Sequence, residues 1–165
     1  IGAEAMWVKN RFKVQSENMR STVDRYATRP VNPLLSKDFT GDAWYVYGLW
    51  NITGETWGYK DGVPTTILPD DPSKGMWQLG LRYDSIDLND GTLRPGATPT
   101  AAPIVDGVLG GKQTSWTVGV NWYWRSNFKF MVNYVKLNSS RYNSTLRRVV
   151  VDNPNVLVAR AQFYW

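Results

Sequence analysis

Apolar and polar side chains alternate along this chain with a period of two, in segments of roughly ten residues. The clearest is Gln113 to Trp124. There Trp116, Val118, Val120, Trp122 and Trp124 fall on one side of an extended backbone, and Thr117, Gly119, Asn121 and Tyr123 on the other. An extended chain of that length crosses a bilayer when tilted, showing one face to lipid and the other to water. The chain has no run of about 18 or more consecutive apolar residues, which excludes a spanning helix. Any membrane span must therefore be β.

Six further segments carry the pattern. Phe128 to Asn138 sets Phe128, Phe130, Val132 and Tyr134 against Lys129, Met131 and Asn133. Only Ser126 and Asn127 separate it from the segment before, a spacing suited to a tight hairpin. Met76 to Leu88 opposes Trp77, Leu79, Leu81 and Tyr83 to Gln78, Gly80, Arg82 and Asp84. Asp42 to Thr53 opposes Trp44, Val46, Trp50 and Ile52 to Tyr45, Tyr47, Leu49 and Asn51. Ile1 to Lys9 and Phe12 to Asp24 make a second hairpin around Asn10 and Arg11, and the small Ala3 and Ala5 beside Trp7 suit a subunit neighbour as well as lipid. Val156 to Trp165 sets Leu157, Ala159, Ala161, Phe163 and Trp165 against Val158, Arg160, Gln162 and Tyr164.

Stretches rich in Pro, Gly, Asn and Asp lie between the segments and read as loops: Arg25 to Gly41, Gly54 to Gly75, Asp90 to Lys112 and Ser139 to Asn155. Two of them are longer than a compact soluble domain usually tolerates, whereas outer-membrane barrels carry long loops externally. With a periplasmic C-terminus, counting backwards puts both two-residue turns on the periplasmic side, where short turns belong, and leaves Gly54 to Gly75 long for its place. The same count gives an odd number of strands, and an open sheet leaves two unpaired edges in lipid. The expectation is therefore a fragment: residues 1–165 as the C-terminal part of one barrel domain, lacking upstream strands and an export signal.

Cysteine and histidine are both absent. That removes Ser-His-Asp and Cys-His catalysis, a disulfide framework, and zinc sites built on those ligands. No catalytic step, metal or cofactor is expected. The 19 Lys and Arg against 14 Asp and Glu leave a formal charge of +5, which favours anionic partners. A mean hydropathy of −0.40 beside 14% aromatic residues fits strands with one polar and one apolar face, in a porin or in a soluble β-sandwich.

The stretches GAEAMWVKNRF, WYVYGLWNITGETWGYKDG, GMWQLGLRYDSIDLNDG, SWTVGVNWYW and FKFMVNYVKLN, with the terminal ARAQFYW, resemble the phosphate-selective porin O and P family, in the family's order and in its C-terminal portion. The resemblance implies an all-β, transmembrane antiparallel barrel of about 16 strands, of which about seven are present here. It also implies a homotrimer in the Gram-negative outer membrane that passes anions, with phosphate or polyphosphate favoured. Two parts depart from the family pattern: the TTILPDD segment within Gly54 to Gly75, and the Pro- and Ala-rich Arg94 to Gly110.

On that reading the polar face lines the lumen, so Arg82, Lys129 and Arg160, with Asn121, Asn133 and Gln162, meet the anion pathway. The other reading of these cations is that they pair with Glu4, Glu17 and Asp84 and hold the wall together. Arg25, Arg29, Arg141, Arg147 and Arg148 sit in or near external loops, as a basic vestibule or as contacts to lipopolysaccharide. Trp7, Trp44, Trp77, Trp116, Trp124 and Trp165 read as membrane-interface girdles, the alternative being a stacking platform for sugars or nucleotides. Gly62, Gly75, Gly110 and Gly111 form no phosphate-loop pattern and read as turn formers. The terminal aromatic resembles the signal read by the barrel-assembly machinery. The partners implied are inorganic anions, outer-membrane lipid, lipopolysaccharide and that machinery, not nucleic acid. Two alternatives remain beside the anion channel: a general porin and a soluble carbohydrate-binding sandwich.

Overall fold

Alternating segments become strands because an extended chain points successive side chains to opposite faces, where aromatic and β-branched residues pack well. The computed structural model describes residues 1–25, 38–65, 68–98, 100–125 and 127–163. In chain order the strands are β1 (Gly2–Lys9), β2 (Phe12–Val23), β3 (Phe39–Asn51), β4 (Tyr59–Lys60), β5 (Val63–Pro64), β6 (Met76–Arg94), β7 (Ile104–Arg125), β8 (Phe128–Asn143), β9 (Arg148–Asp152) and β10 (Asn155–Phe163). One antiparallel sheet runs β1-β2-β3-β6-β7-β8-β10, and β9 also pairs with β8. Both β9 and β10 lie on the same flank of β8, with Pro154 between them. Proline has no N–H to donate, but the Pro154 carbonyl accepts from Leu137 N–H at 3.0 Å and carries the ladder across the break. No strand pairs with the outer side of β1 or β10 among the described residues.

All seven expected segments are strands, and three of the four expected loops carry regular structure, while most of the fourth, Arg25 to Gly41, lies outside the described residues. Asp90 to Lys112 is largely a continuation of the β6–β7 ladder, paired as far as Arg94 and Ile104. Ser139 to Asn155 holds the end of β8 and all of β9. Gly54 to Gly75 contains the small β4–β5 hairpin. Glycine misled the sequence reading here. Gly91 and Gly107 face each other in the ladder, where a Cβ on either would stand 2.3 Å from a carbonyl oxygen across the pair. Gly110 and Gly111 sit at the irregularity between Asp87 and Asn89, and Gly111 has a φ of 104°. These glycines mark close approach and a bulge within strands, not the absence of strands.

The faces are inverted relative to a water-soluble domain. Met76 is the buried hydrophobic residue among those described, while the side chains buried beside it are polar: Asn51, Glu55, Gln78 and Ser115. Trp44, Trp77, Trp116, Val118, Phe130, Val132 and Leu157 are all exposed. A contiguous apolar surface of this kind marks contact with another apolar phase. No second large sheet covers it among the described residues.

The connector from Ile52 to Gly75 lies at the end that also carries the Asn10–Arg11 turn, and it is tied to that turn by Trp57 N–H donating to Asn10 O at 2.8 Å. Trp57, Pro64 and Thr65 face Lys13, Met76, Gln78 and Tyr123 across a cleft of about 220 Å³. The connector thus folds back over the polar face, which accounts for the burial of Met76 and Gln78. It closes on a turn in which Ser73 N–H and Oγ donate to Asp71 Oδ1 at 2.9 and 2.6 Å, and Gly75 N–H donates to Asp71 O at 3.0 Å.

Two outcomes follow. Gly62 and Gly75 both have positive φ, but a Cβ at Gly62 meets nothing within 4 Å, whereas at Gly75 it would stand 2.5 Å from Tyr123 O and 2.7 Å from Trp122 Nε1. Gly75→Ala should therefore cost at least about 1 kcal/mol more than Gly62→Ala. Thermal unfolding of the detergent-solubilised full-length protein measures the difference. The Asp71 carboxyl is held below its usual range, first by the Ser73 hydroxyl, then by the Ser73 amide and Lys74. Because its folded value is the lower one, the turn keeps this stabilisation at and above the ordinary Asp value of about 3.9 and loses it as pH falls through the folded value. Amide exchange at Ser73 and Gly75, corrected for intrinsic rate, should be flat from neutral pH to about 4 and rise only below it, and Asp71→Asn should abolish that rise.

Candidate functional site on the polar face

Cross-strand register decides which polar side chains meet, because directly opposed residues share a face. One register row holds Glu4, Glu17, Tyr45, Asp84 and Ser115; the next holds Gln15, Tyr47, Arg82 and Thr117. After these come Lys13, Leu49, Gly80, Gly119 and Asn133, then Asn51, Gln78, Asn121, Met131 and Arg160. The Gly80–Gly119 pair has no side chains at the centre of this wall, and Leu49 leans over Gly80 and Asn133 over Gly119. A depression of about 380 Å³ lies over it, edged by Tyr47, Leu49, Arg82, Thr117, Asn121 and Asn133, with no carboxylate in its lining.

Arg82 is the strongest charge at its rim. Its Nε donates to Asp84 Oδ1 at 2.7 Å, and its guanidinium carbon lies 4.2 Å from the centre of the Tyr45 ring. Ser115 Oγ donates to the other Asp84 oxygen at 3.2 Å. Charge-assisted bonds and a ring face together hold the guanidinium in one orientation. On the opposite side an amide ladder crosses three strands: Asn121 Nδ2 donates to Gln78 Oε1 at 2.8 Å, Gln78 Nε2 to Asn51 Oδ1 at 2.9 Å, and Asn51 Nδ2 to Glu55 O at 2.8 Å. Every link satisfies a buried polar group, and the last, to the Glu55 carbonyl, pins the connector to the wall.

The expected lumen cations therefore divide. Arg82 pairs with Asp84, as the wall-holding reading proposes, yet it still edges the depression. Glu4 and Glu17 do not meet the cations; Glu4 accepts from Gln15 and Glu17 from the Tyr45 hydroxyl. Arg160 shares its register row with Asn121, two strands away. Lys129 lies one row nearer the β7–β8 turn, opposite Gln162, with its ammonium 4.5 Å from the centre of the Tyr123 ring. Sequence reasoning missed Lys13, whose ammonium stands over the rings of Tyr47 and Trp57 at 5.4 and 5.6 Å. Its parity with Glu17 along β2 carried the signal. The residues expected at the vestibule come from different parts of the chain. Arg25 follows β2, whereas Arg141, Arg147 and Arg148 belong to the β8–β9 hairpin, Arg147 in its turn with a φ of 53°. Arg29 and Trp165 lie outside the described residues.

Aromatic rings on the apolar face form two rows. Trp44, Tyr83 and Trp116 meet at 5.1 and 4.8 Å across β3, β6 and β7. Nearer the tight turns, Phe12 stacks on Trp50 at 6.1 Å, and Trp77, Trp122 and Phe130 follow at 5.6 and 5.8 Å, joined by Trp124, Phe128 and Phe163. Trp7 opposes Val14, the next same-face pair after Lys9 and Phe12. Beyond the first row the face turns ionic: Arg20 meets Asp42 at 2.6 Å, and Lys112 meets Asp87 at 3.5 Å. An apolar band between two aromatic rows is the profile of a strand wall in a bilayer.

The sequence profile of the family described as phosphate-selective porin O and P matches residues 1–165. This chain belongs to that porin family. An uncharacterized protein of Caulobacter vibrioides strain CB 15 is 31% identical to it over 138 residues, which is 81% of this chain and 23% of that protein. The matched region thus spans about a quarter of the curated relative's length. Porins of this family are outer-membrane proteins of Gram-negative bacteria and not enzymes. Accordingly the apolar face of the sheet is the lipid side and the polar face the barrel interior.

Asp84 offsets the charge of Arg82, and this makes selectivity testable by sign. In single-channel recordings of the full-length porin, Asp84→Asn should raise the anion-to-cation permeability ratio. Arg82→Ala should lower it further than Arg160→Ala, because it also leaves Asp84 unpaired. All three effects should shrink towards 1 M salt, where the screening length falls to about 3 Å.

Proposed function

We propose that residues 1–165 are the C-terminal part of a larger barrel whose water-filled interior passes anions by diffusion, inorganic phosphate or polyphosphate among them. The observation that carries this reading is the depression over Gly80 and Gly119, where Arg82, Thr117, Asn121 and Asn133 offer hydrogen-bond donors and no carboxylate is in the lining. Donors in that arrangement replace part of an anion's hydration, and separation between cations lets the ion move on. Lys13, Arg82, Lys129 and Arg160 share this face with Glu4, Glu17 and Asp84, two of which are engaged by neutral groups. The family's description supports phosphate as a solute.

The open outer sides of β1 and β10 support a larger barrel, since unpaired strand edges are too costly in lipid. We assign the external vestibule to Arg25, Arg29, Arg141, Arg147 and Arg148, and the interfacial girdle to Trp7, Trp44, Trp77, Trp116, Trp124 and Trp165. A homotrimer, lipopolysaccharide contacts and delivery by the barrel-assembly machinery through the last strand complete this reading. Asp84 beside Arg82 favours a second one, a general porin with little solute preference.

Planar-bilayer recording of the full-length protein decides between them. Under a potassium chloride gradient the reversal potential should lie on the anion side, and added phosphate should reduce the chloride current. Equal permeability of the two ions would overturn the anion channel; anion selectivity without phosphate block would leave an anion channel that is not specific for phosphate.

A further inference from the structure

An inorganic oxyanion uses only part of the depression over Gly80 and Gly119. Its volume of about 380 Å³ falls in the lower range of small-molecule sites, roughly 300–1,000 Å³. A water molecule takes a share of about 30 Å³ in the liquid, so the space is on the order of ten waters, several times an ion of five heavy atoms. The lining also holds two kinds of group. Gly80 and Gly119 oppose each other beneath the depression; the Leu49 side chain leans over Gly80, 3.2 Å from where its Cβ would stand, and the Asn133 amide oxygen stands over Gly119. Leu49 and the Tyr47 ring supply the apolar part on β3; Arg82 and Thr117 supply donors on one side of the glycine pair, Asn121 on the other, and Asn133 on β8.

A bare ion gains nothing from Leu49 or the ring and loses water beside them. A solute with a carbon ring and an anionic substituent matches both kinds of group, laying its C–H face on Leu49 and Tyr47 while the charge meets the donors. Tyr47 is held for that role by its hydroxyl, which donates to Gln15 Oε1, and Arg82 by Asp84 and Tyr45. We propose that this depression is a subsite for anionic, ring-bearing solutes the size of a monosaccharide phosphate. The inference rests on the anion-channel reading and narrows the class of solute that lingers at this wall.

The test uses the full-length porin in planar bilayers, with glucose 6-phosphate, inorganic phosphate and glucose as probes of the chloride current. Glucose 6-phosphate should half-block at a concentration about tenfold below that of either other probe, the size of one added ring contact. Two variants should bring the ratio of half-blocking concentrations towards one: Tyr47→Ala, which removes the ring, and Gly80→Val, which adds a side chain beneath the depression. Equal blocking by glucose 6-phosphate and inorganic phosphate in the unmodified protein would overturn the subsite, as would a ratio preserved in both variants. If the reversal potential stays on the anion side in either case, the anion-channel reading survives; a reversal potential at zero removes that reading and the subsite with it.

Discussion

Strands in hydrocarbon have no water with which to satisfy their N–H and C=O groups, so each must be fully paired by its neighbours. The rest of this structure depends on that requirement. The ladder is continuous from β1 to β10, and Pro154, where it could have failed, sits at the one position where its missing N–H is tolerated and its carbonyl still accepts. Pairing also commits each side chain to a face, because opposed residues point the same way. The apolar residues are therefore collected on the outside and the polar ones on the inside, the reverse of a soluble domain.

Polar groups on the inner face have to answer one another as well as the solute. Asn121, Gln78 and Asn51 form an amide ladder across three strands that ends on the Glu55 carbonyl, and Arg82 is held between Asp84 of its own strand and Tyr45 of the next. Between these bonded groups lie the paired glycines. Gly80 and Gly119 remove two side chains at the same height on neighbouring strands, which makes a hollow without breaking the ladder. The connector adds a second constraint by folding inward at the end that carries the tight turns, burying Met76 and Gln78 and bringing Trp57 to Lys13.

Much of this was legible in the residues. Period-two alternation located every long strand, since the pleat imposes that period on any strand with one face in lipid. It also put Arg82, Asn121, Asn133 and Arg160 on the inner face. Glycine was read wrongly because the same residue serves turns and crowded ladders: Gly91, Gly107 and Gly111 lie in a paired extension, not in a loop. Arg141 and Arg148 were likewise read as loop residues although β8 and β9 extend through them.

What the sequence determined by itself was the strand set and its two faces, because those follow from local alternation and require no partner. Composition determined as much about chemistry: with no histidine or cysteine, the inner wall could act only through charge, amides, hydroxyls and rings. Tertiary structure alone decided which inward residues stand together. That Gly80 meets Gly119, that Tyr45 stands by both Glu17 and Arg82, and that the connector turns inward all depend on register and chain path. Register is a relation between strands distant in sequence, and a shift of one residue would have turned every one of these side chains to lipid.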